Sequence, residues 1–242
     1  MKLLALEVST EACSVALLEG AAVACLHEEP GRGQAELLLP MVDRLLREAG
    51  VGLGALDAIA FGRGPGGFTG VRLGASVAQG LAFGAGRPVV PVSTLRATAA
   101  AVMFEDAAVE VVLVCNDARM QEVYWSAYGR GPDGLPVPLA AEQVGPARSV
   151  HFEVPAGRRF VAAGRGLAAH PELAARYADR GALQEQRLPD AAAVARLAVP
   201  EVLAGRALPA RHALPVYVRD EVVRAAGTAG GGAPGRLPAR SS

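Results

Sequence analysis

The sequence predicts an α/β protein built in two parts. Three observations carry this reading: an opening series of strand-like runs joined by short turns, alternating strand and helix patterns after it, and a restart of strand patterns past Met103. LLALEVS, SVALLEG and AAVACLHEE read as an antiparallel meander, with Glu19-Gly20 as one of its tight turns. AELLLPMVDRLLREAG follows as a helix over about 35–49, ending at Gly50, where glycine accepts the left-handed capping conformation. LDAIAFG is a fourth strand. A glycine-rich loop then leads into a second helix over about 69–83, and RPVVPVST is a fifth strand. The order is βββαβαβ.

In the second part, VEVVLVCND and EVYWSAYG read as strands, the stretch from Gly131 to Gly145 as an irregular hairpin, and RRFVAAG as another strand. HPELAARYADRG and PDAAAVARLAVPEVLAG read as helices, the latter capped by Asp190. PVYVRD is a last extended piece. The expected division is a first lobe over 1–103, a second over 104–224 whose last segment is free to return toward the first, and a tail over 225–242 without apolar periodicity, expected to be disordered. No fixed-period repeat is visible.

Composition narrows the function classes. Arginine plus lysine balance aspartate plus glutamate at 24 each, so no global basic field recruits nucleic acid and any RNA contact must be local or shared. The cysteines, Cys13, Cys25 and Cys115, form no C-x-x-C, and an odd count argues against a disulfide framework. A cytoplasmic location is the expectation; MKLLALEVST does not read as a leader, and no run is long enough to span a membrane.

The stretch FGRGPGGFTGVRLG, from Phe61 to Gly74, matches two phosphate-loop patterns in part. Gly62, Gly64 and Gly67 spell G-x-G-x-x-G, and Gly62, Gly67 and Thr69 spell most of G-x-x-x-x-G-K-T. Phe68 occupies the lysine position, and Pro65 removes an N–H from any anion nest. A dinucleotide fold would want an acidic residue about 20 positions on, and none lies between Asp57 and Glu105. The other reading is close packing. Gly70, Gly74, Ala78 and Ala82 recur every four residues along one helix face, where another element of the same subunit, or of a second subunit, can approach closely. On the first helix, the apolar residues from Leu37 to Ala49 cover about 200° of the circumference, wide enough to bury two faces.

EVSTEACSVAL, GPGGFTGVRLG with AQGLAFG, DARMQEVYWSAY and PVYVRD together resemble the TsaB (YeaZ) family, over Leu3 to Arg219. The resemblance implies the actin-like ATPase fold, two RNase H-like lobes with mixed sheets and an initial antiparallel meander. It implies a non-catalytic subunit of the machinery that makes threonylcarbamoyladenosine in tRNA. Its implied partners are the catalytic relative TsaD, the ATPase TsaE, a functional link to TsaC, and tRNA through the complex. Pairing is through helices of the first lobe, with a homodimer available to the isolated chain. The expected docking residues are Leu38, Met41, Val42 and Leu45 on the first helix and Gly70, Val71, Gly74, Ala75 and Ala78 on the second. Asp117, Arg119, Tyr124 and Arg219 are candidate contacts to RNA or a partner, though for Asp117 and Arg119 the favoured reading is a strand-to-strand turn with an ion pair.

The chain departs from the family where D-T-S-T is usual: it has Glu7-Val8-Ser9-Thr10, and Gly33-Gln34-Ala35-Glu36 replaces a histidine-bearing stretch. No two of His27, His151, His170 and His212 have the i, i+4 spacing of a helical metal pair, and no G-x-S-x-G or H-E-x-x-H occurs. No catalytic, cofactor-binding or metal-ligating residue is expected. A rival reading is a small-molecule kinase or NADP-binding enzyme using the glycine loop.

Overall fold

Two mixed sheets, each opening on an antiparallel meander, organise the computed structural model, which describes residues 1–31 and 33–218. In the first lobe, β1 (Lys2–Glu7), β2 (Cys13–Glu19) and β3 (Ala22–Glu28) pair antiparallel, while β4 (Ala58–Gly62) and β5 (Val89–Val92) add in parallel beside β1. The strand order is β3-β2-β1-β4-β5. Helices α1 (Gln34–Ala49) and α2 (Phe68–Ala85) cover one face. Gly50 closes α1 at φ 65°, and its N–H reaches the carbonyls of Arg47 and Leu46, as the glycine at that position predicts.

The second lobe repeats the plan. β6 (Val111–Arg119) and β7 (Glu122–Arg130) form a hairpin, and β8 (Pro136–Pro138) and β9 (Gln143–Pro146) both pair with β7. β10 (Phe160–Ala163) and β11 (Ala182–Gln184) extend the sheet in parallel on the other side of β6. In each lobe the first strand lies between the second, which pairs antiparallel, and a later strand that pairs in parallel: β4 beside β1 and β10 beside β6. This doubled arrangement is the actin-like fold expected above. The repeat lies in topology and is not visible in the sequence.

Three elements differ from the sequence reading. The 131–145 region is not a hairpin, because β8 and β9 each run against β7. Pro136, Pro138 and Pro146 lack ladder donors and keep both strands short. RPVVPVST does not stay extended to its end: β5 stops at Val92, and Ser93 caps a helix, α3 (Thr94–Glu105), accepting from Arg96 N at 3.1 Å. PVYVRD forms no strand over its described part. It crosses the loop after β4 as a strap, with Val216 N–H donating to Arg63 O at 2.8 Å. Arg219 and the 225–242 tail lie outside the described residues.

The short helices α4 (Arg165–Ala169) and α5 (Pro171–Tyr177) cover the outer face of the second sheet, and α6 (Ala191–Leu203) packs on the first. Val194 and Leu197 of α6 join Leu3, Ala5 and Leu18 in one core, while Leu95, Val102 and Met103 of α3 join Val112, Val114 and Tyr128 of the second lobe. Each lobe thus contributes a helix to the other's core. Asp190 caps α6, its Oδ1 accepting from Ala193 N at 2.7 Å. Asp190→Ala is expected to cost about 1 kcal/mol, read by urea unfolding; an unchanged midpoint would mean the cap contributes nothing.

Candidate functional site

The glycine loop is built around β1. A Cβ at Gly62 would lie 1.9 Å from Glu7 Oε2, one at Gly66 2.3 Å from Ser9 O, and one at Gly70 2.1 Å from Val8 O. Gly67 N–H donates to Ser9 O at 2.7 Å. The absent side chains let α2 begin almost in contact with the strand end Glu7-Val8-Ser9. Of the two close-packing readings, the one inside the subunit is realised.

Glu7 lies beneath this contact, 1% exposed. Its Oε1 accepts from Ser9 N at 2.8 Å and from Ser9 Oγ, and its Oε2 accepts from Thr94 Oγ1 at 3.3 Å. Burial raises the carboxyl above its ordinary value of 4.5; the Ser9 and Thr94 bonds oppose that rise without cancelling it. A raised acid holds more protons folded than unfolded, so its contribution to stability is fully present below 4.5 and is lost as pH rises through the folded value. Glu7→Gln is therefore expected to flatten the decline of stability with pH. Urea unfolding of both proteins from acid to neutral pH would check this, and parallel profiles would contradict it.

Above Glu7 the lobes face each other across a cleft of about 450 Å³. Ser9, Thr10 and Glu11 from the β1–β2 turn, the start of α2, and Asn116 to Arg119 with Tyr124 from the β6–β7 hairpin line it. Arg165 closes one side, donating to Glu11 at 2.7 Å and to Glu29 at 2.5 Å, both on the opposite lobe. At the other side Tyr217 of the strap packs near Phe68, with the Arg72 guanidinium over both rings.

Three of the candidate contacts fall here. Asp117 and Arg119 form an ion pair at 2.9 Å across the β6–β7 turn, where Arg119, Met120 and Gln121 all take left-handed backbone, and Tyr124 lies on the adjoining strand. The sequence drew attention to these residues but not to Asn116 or Arg165, which complete the same wall. The signal for Asn116 was its place in CND at a strand end; Arg165 had none, because its partners are far away in the chain.

The expected docking residues lie elsewhere. Leu38, Met41, Val42 and Leu45 are buried against the first sheet, as are Ala75 and Ala78; Val71 is buried beside the Gly64 turn, and Gly74 faces Val8 Cγ2, 3.1 Å from its would-be Cβ. Gly70 is half-buried against β1. These side chains form the subunit's own core, because the inward face of each helix is the more continuously apolar one. The outward faces carry a different set. Leu39 on α1 is 50% exposed and Phe83 on α2 is 83% exposed. Ser76, Gly80 and Gly84 form a second small row, where a Cβ at Gly80 or Gly84 would meet nothing within 4 Å. Beside them Leu39, Leu46, Val51, Leu53 and Leu81 line a shallow apolar hollow.

Other groups carry little chemistry. Burial pushes the Cys13 thiol to about 11 and that of Cys115 higher still, unlike a nucleophile's depressed value. Among the described residues no group of three His, Cys, Asp or Glu is placed to hold a metal ion, and no helix is long and apolar enough to cross a membrane.

Comparison with known proteins places this architecture. The family model described as TsaD, tRNA N6-adenosine threonylcarbamoyltransferase, matches residues 26–214. The tRNA threonylcarbamoyladenosine biosynthesis protein TsaB of Haemophilus influenzae is 40% identical over 229 residues, covering 92% of this chain and 95% of the relative. The Escherichia coli protein of the same name is 38% identical over 223 residues, covering 92% and 96%. The solved structure of YeaZ from Pseudomonas aeruginosa superposes with a TM-score of 0.79 at 43% identity, covering 89% of this chain and 99% of that one. The chain belongs to the TsaB (YeaZ) family of tRNA threonylcarbamoyladenosine biosynthesis proteins.

Proposed function

We propose that this chain is a non-catalytic subunit of the machinery that installs threonylcarbamoyladenosine in tRNA, and that it docks on a catalytic relative of the TsaD type. The observation that carries the reading is Glu7. The carboxylate at the β1 end, where an active member of the fold would present an acid to a metal–nucleotide, is sealed under the glycine loop with its oxygens held by Ser9 and Thr94. An acid so enclosed supports assembly rather than phosphoryl chemistry. The docking surface in this reading is the outward face of α1 and α2: Leu39, Ser76, Gly80, Phe83 and Gly84. Its small row admits a partner helix closely, and its exposed aromatic supplies an anchor. A second copy of the chain uses the same face when the partner is absent. The ATPase TsaE, the adenylate-forming TsaC and tRNA meet the subunit only through the assembled complex.

A strain lacking the gene, assayed for threonylcarbamoyladenosine in total tRNA by mass spectrometry, tests this. The nucleoside is expected to disappear and to return with the wild-type gene. The purified chain is expected to show neither ATP hydrolysis nor transfer until the catalytic relative is added. Turnover by the chain alone that is lost in Glu7→Gln would overturn the non-catalytic reading.

A further inference from the structure

Among the described residues, four buried side-chain polar atoms have no hydrogen-bond partner: Thr10 Oγ1, Asn116 Nδ2, Arg165 Nε and Arg87 Nε. The first three belong to side chains that line the interlobe cleft. An unpaired buried polar group is costly, so orphans gathered around one cavity mark a missing partner there. Asn116 is the strongest case, only 5% exposed and donating from an amide on the cleft wall. The start of α2 forms the facing wall. Its N-cap, Gly67, offers no side-chain acceptor, and no described group accepts from the N–H of Phe68, Thr69 or Gly70. The orphan nitrogens and the helix start are all donors, and Thr10 adds a hydroxyl that can donate too. The complementary ligand therefore presents oxygen acceptors.

Charge and shape narrow the class. The cleft's formal charges balance, Arg119 and Arg165 against Asp117 and Glu11, and both arginines are already paired. Such a cleft is poorly matched to the several charges of a nucleoside triphosphate, and better matched to a single carboxylate set on a helix N-terminus. Phe68, Tyr124 and Tyr217 add ring faces beside the donors, and a planar base stacks on such faces. The volume of about 450 Å³ suits a nucleoside-sized ligand.

We infer that the interlobe cleft binds the modified base itself: an adenine carrying a threonylcarbamoyl group, its carboxylate and ureido oxygens taken by the α2 N-terminus and Asn116 and its ring set against Phe68. This rests on the pathway proposed above and gives the subunit a product-recognition role.

Calorimetric titration of the full chain with free N6-threonylcarbamoyladenosine, adenosine and threonine as separate probes tests it. The modified nucleoside is expected to bind at least about tenfold tighter than either fragment, a difference of about 1.4 kcal/mol. Phe68→Ser and Asn116→Asp are each expected to weaken it by a similar factor. Phe68 is 69% exposed, so its variant keeps the fold and decides the outcome even if a charge at Asn116 disrupts the second lobe. Equal binding of adenosine, no heat with the modified nucleoside at millimolar concentration, or undiminished binding by Phe68→Ser would overturn the inference. If wild type still restored the tRNA modification in the deletion strain, the pathway reading would stand and only the product site would fall. Failure to restore it would remove both.

Discussion

Replacing Gly70 by alanine is expected to lower the melting temperature by several degrees, up to about 8 °C once the propensity gain is subtracted, whereas the same change at Gly74 leaves it nearly unmoved. The two glycines sit one turn apart on the same face of α2, and helix propensity alone favours alanine at either by about 1 kcal/mol. Their surroundings decide the sign. A Cβ at Gly70 would stand 2.1 Å from the carbonyl oxygen of Val8, a backbone atom just past the end of β1. At Gly74 the neighbour is Val8 Cγ2 at 3.1 Å, a side-chain methyl that can give by a few tenths of an ångström. Forcing atoms into a packed contact costs about 1–3 kcal/mol, and in a chain of this size each kcal/mol moves the midpoint by about 2–4 °C. Differential scanning calorimetry of the two variants checks the contrast. A neutral Gly70→Ala would mean that α2 does not begin on β1 and that the glycine loop has another purpose.

The second large effect separates folding from assembly. Leu45→Asp places a charge in the first-lobe core, where the side chain is 3% exposed among apolar neighbours, and several kcal/mol of destabilisation are expected. Gly80→Leu and Phe83→Glu act outside that core. Both positions face solvent, so each variant should keep its circular dichroism spectrum and unfold within about 0.5 kcal/mol of wild type. Each is nonetheless expected to weaken binding to the TsaD relative by about 100-fold, because a leucine fills the space a partner helix needs and a carboxylate replaces an apolar anchor. Surface plasmon resonance with folded variants reads this directly. Undiminished affinity in both would move the docking surface off the outward faces of α1 and α2.

Much of the architecture was legible in the chain because it is written in local patterns. The βββαβαβ order follows from short apolar runs bounded by turn residues, a helical apolar arc and glycine stops, and Gly50 and Asp190 end and start helices through their own backbone and side-chain chemistry. The glycine loop also announced close approach before any partner was known. Sequence did not decide what approaches. Gly70 and Gly74 on α2 and Leu38 to Leu45 on α1 show small size and apolarity equally well for an internal or an external neighbour, and only the position of β1 assigns them to the core. The outward row of Ser76, Gly80 and Gly84 has the same spacing and emerges only once the inward face is known. Nor could sequence place α6 on the first sheet or bring Arg165 to Glu11 and Glu29, since these contacts join residues more than a hundred positions apart. Local periodicity determines which elements form. Which faces are left for a partner, and which polar atoms meet across a cleft, depends on long-range packing that no short window of sequence encodes.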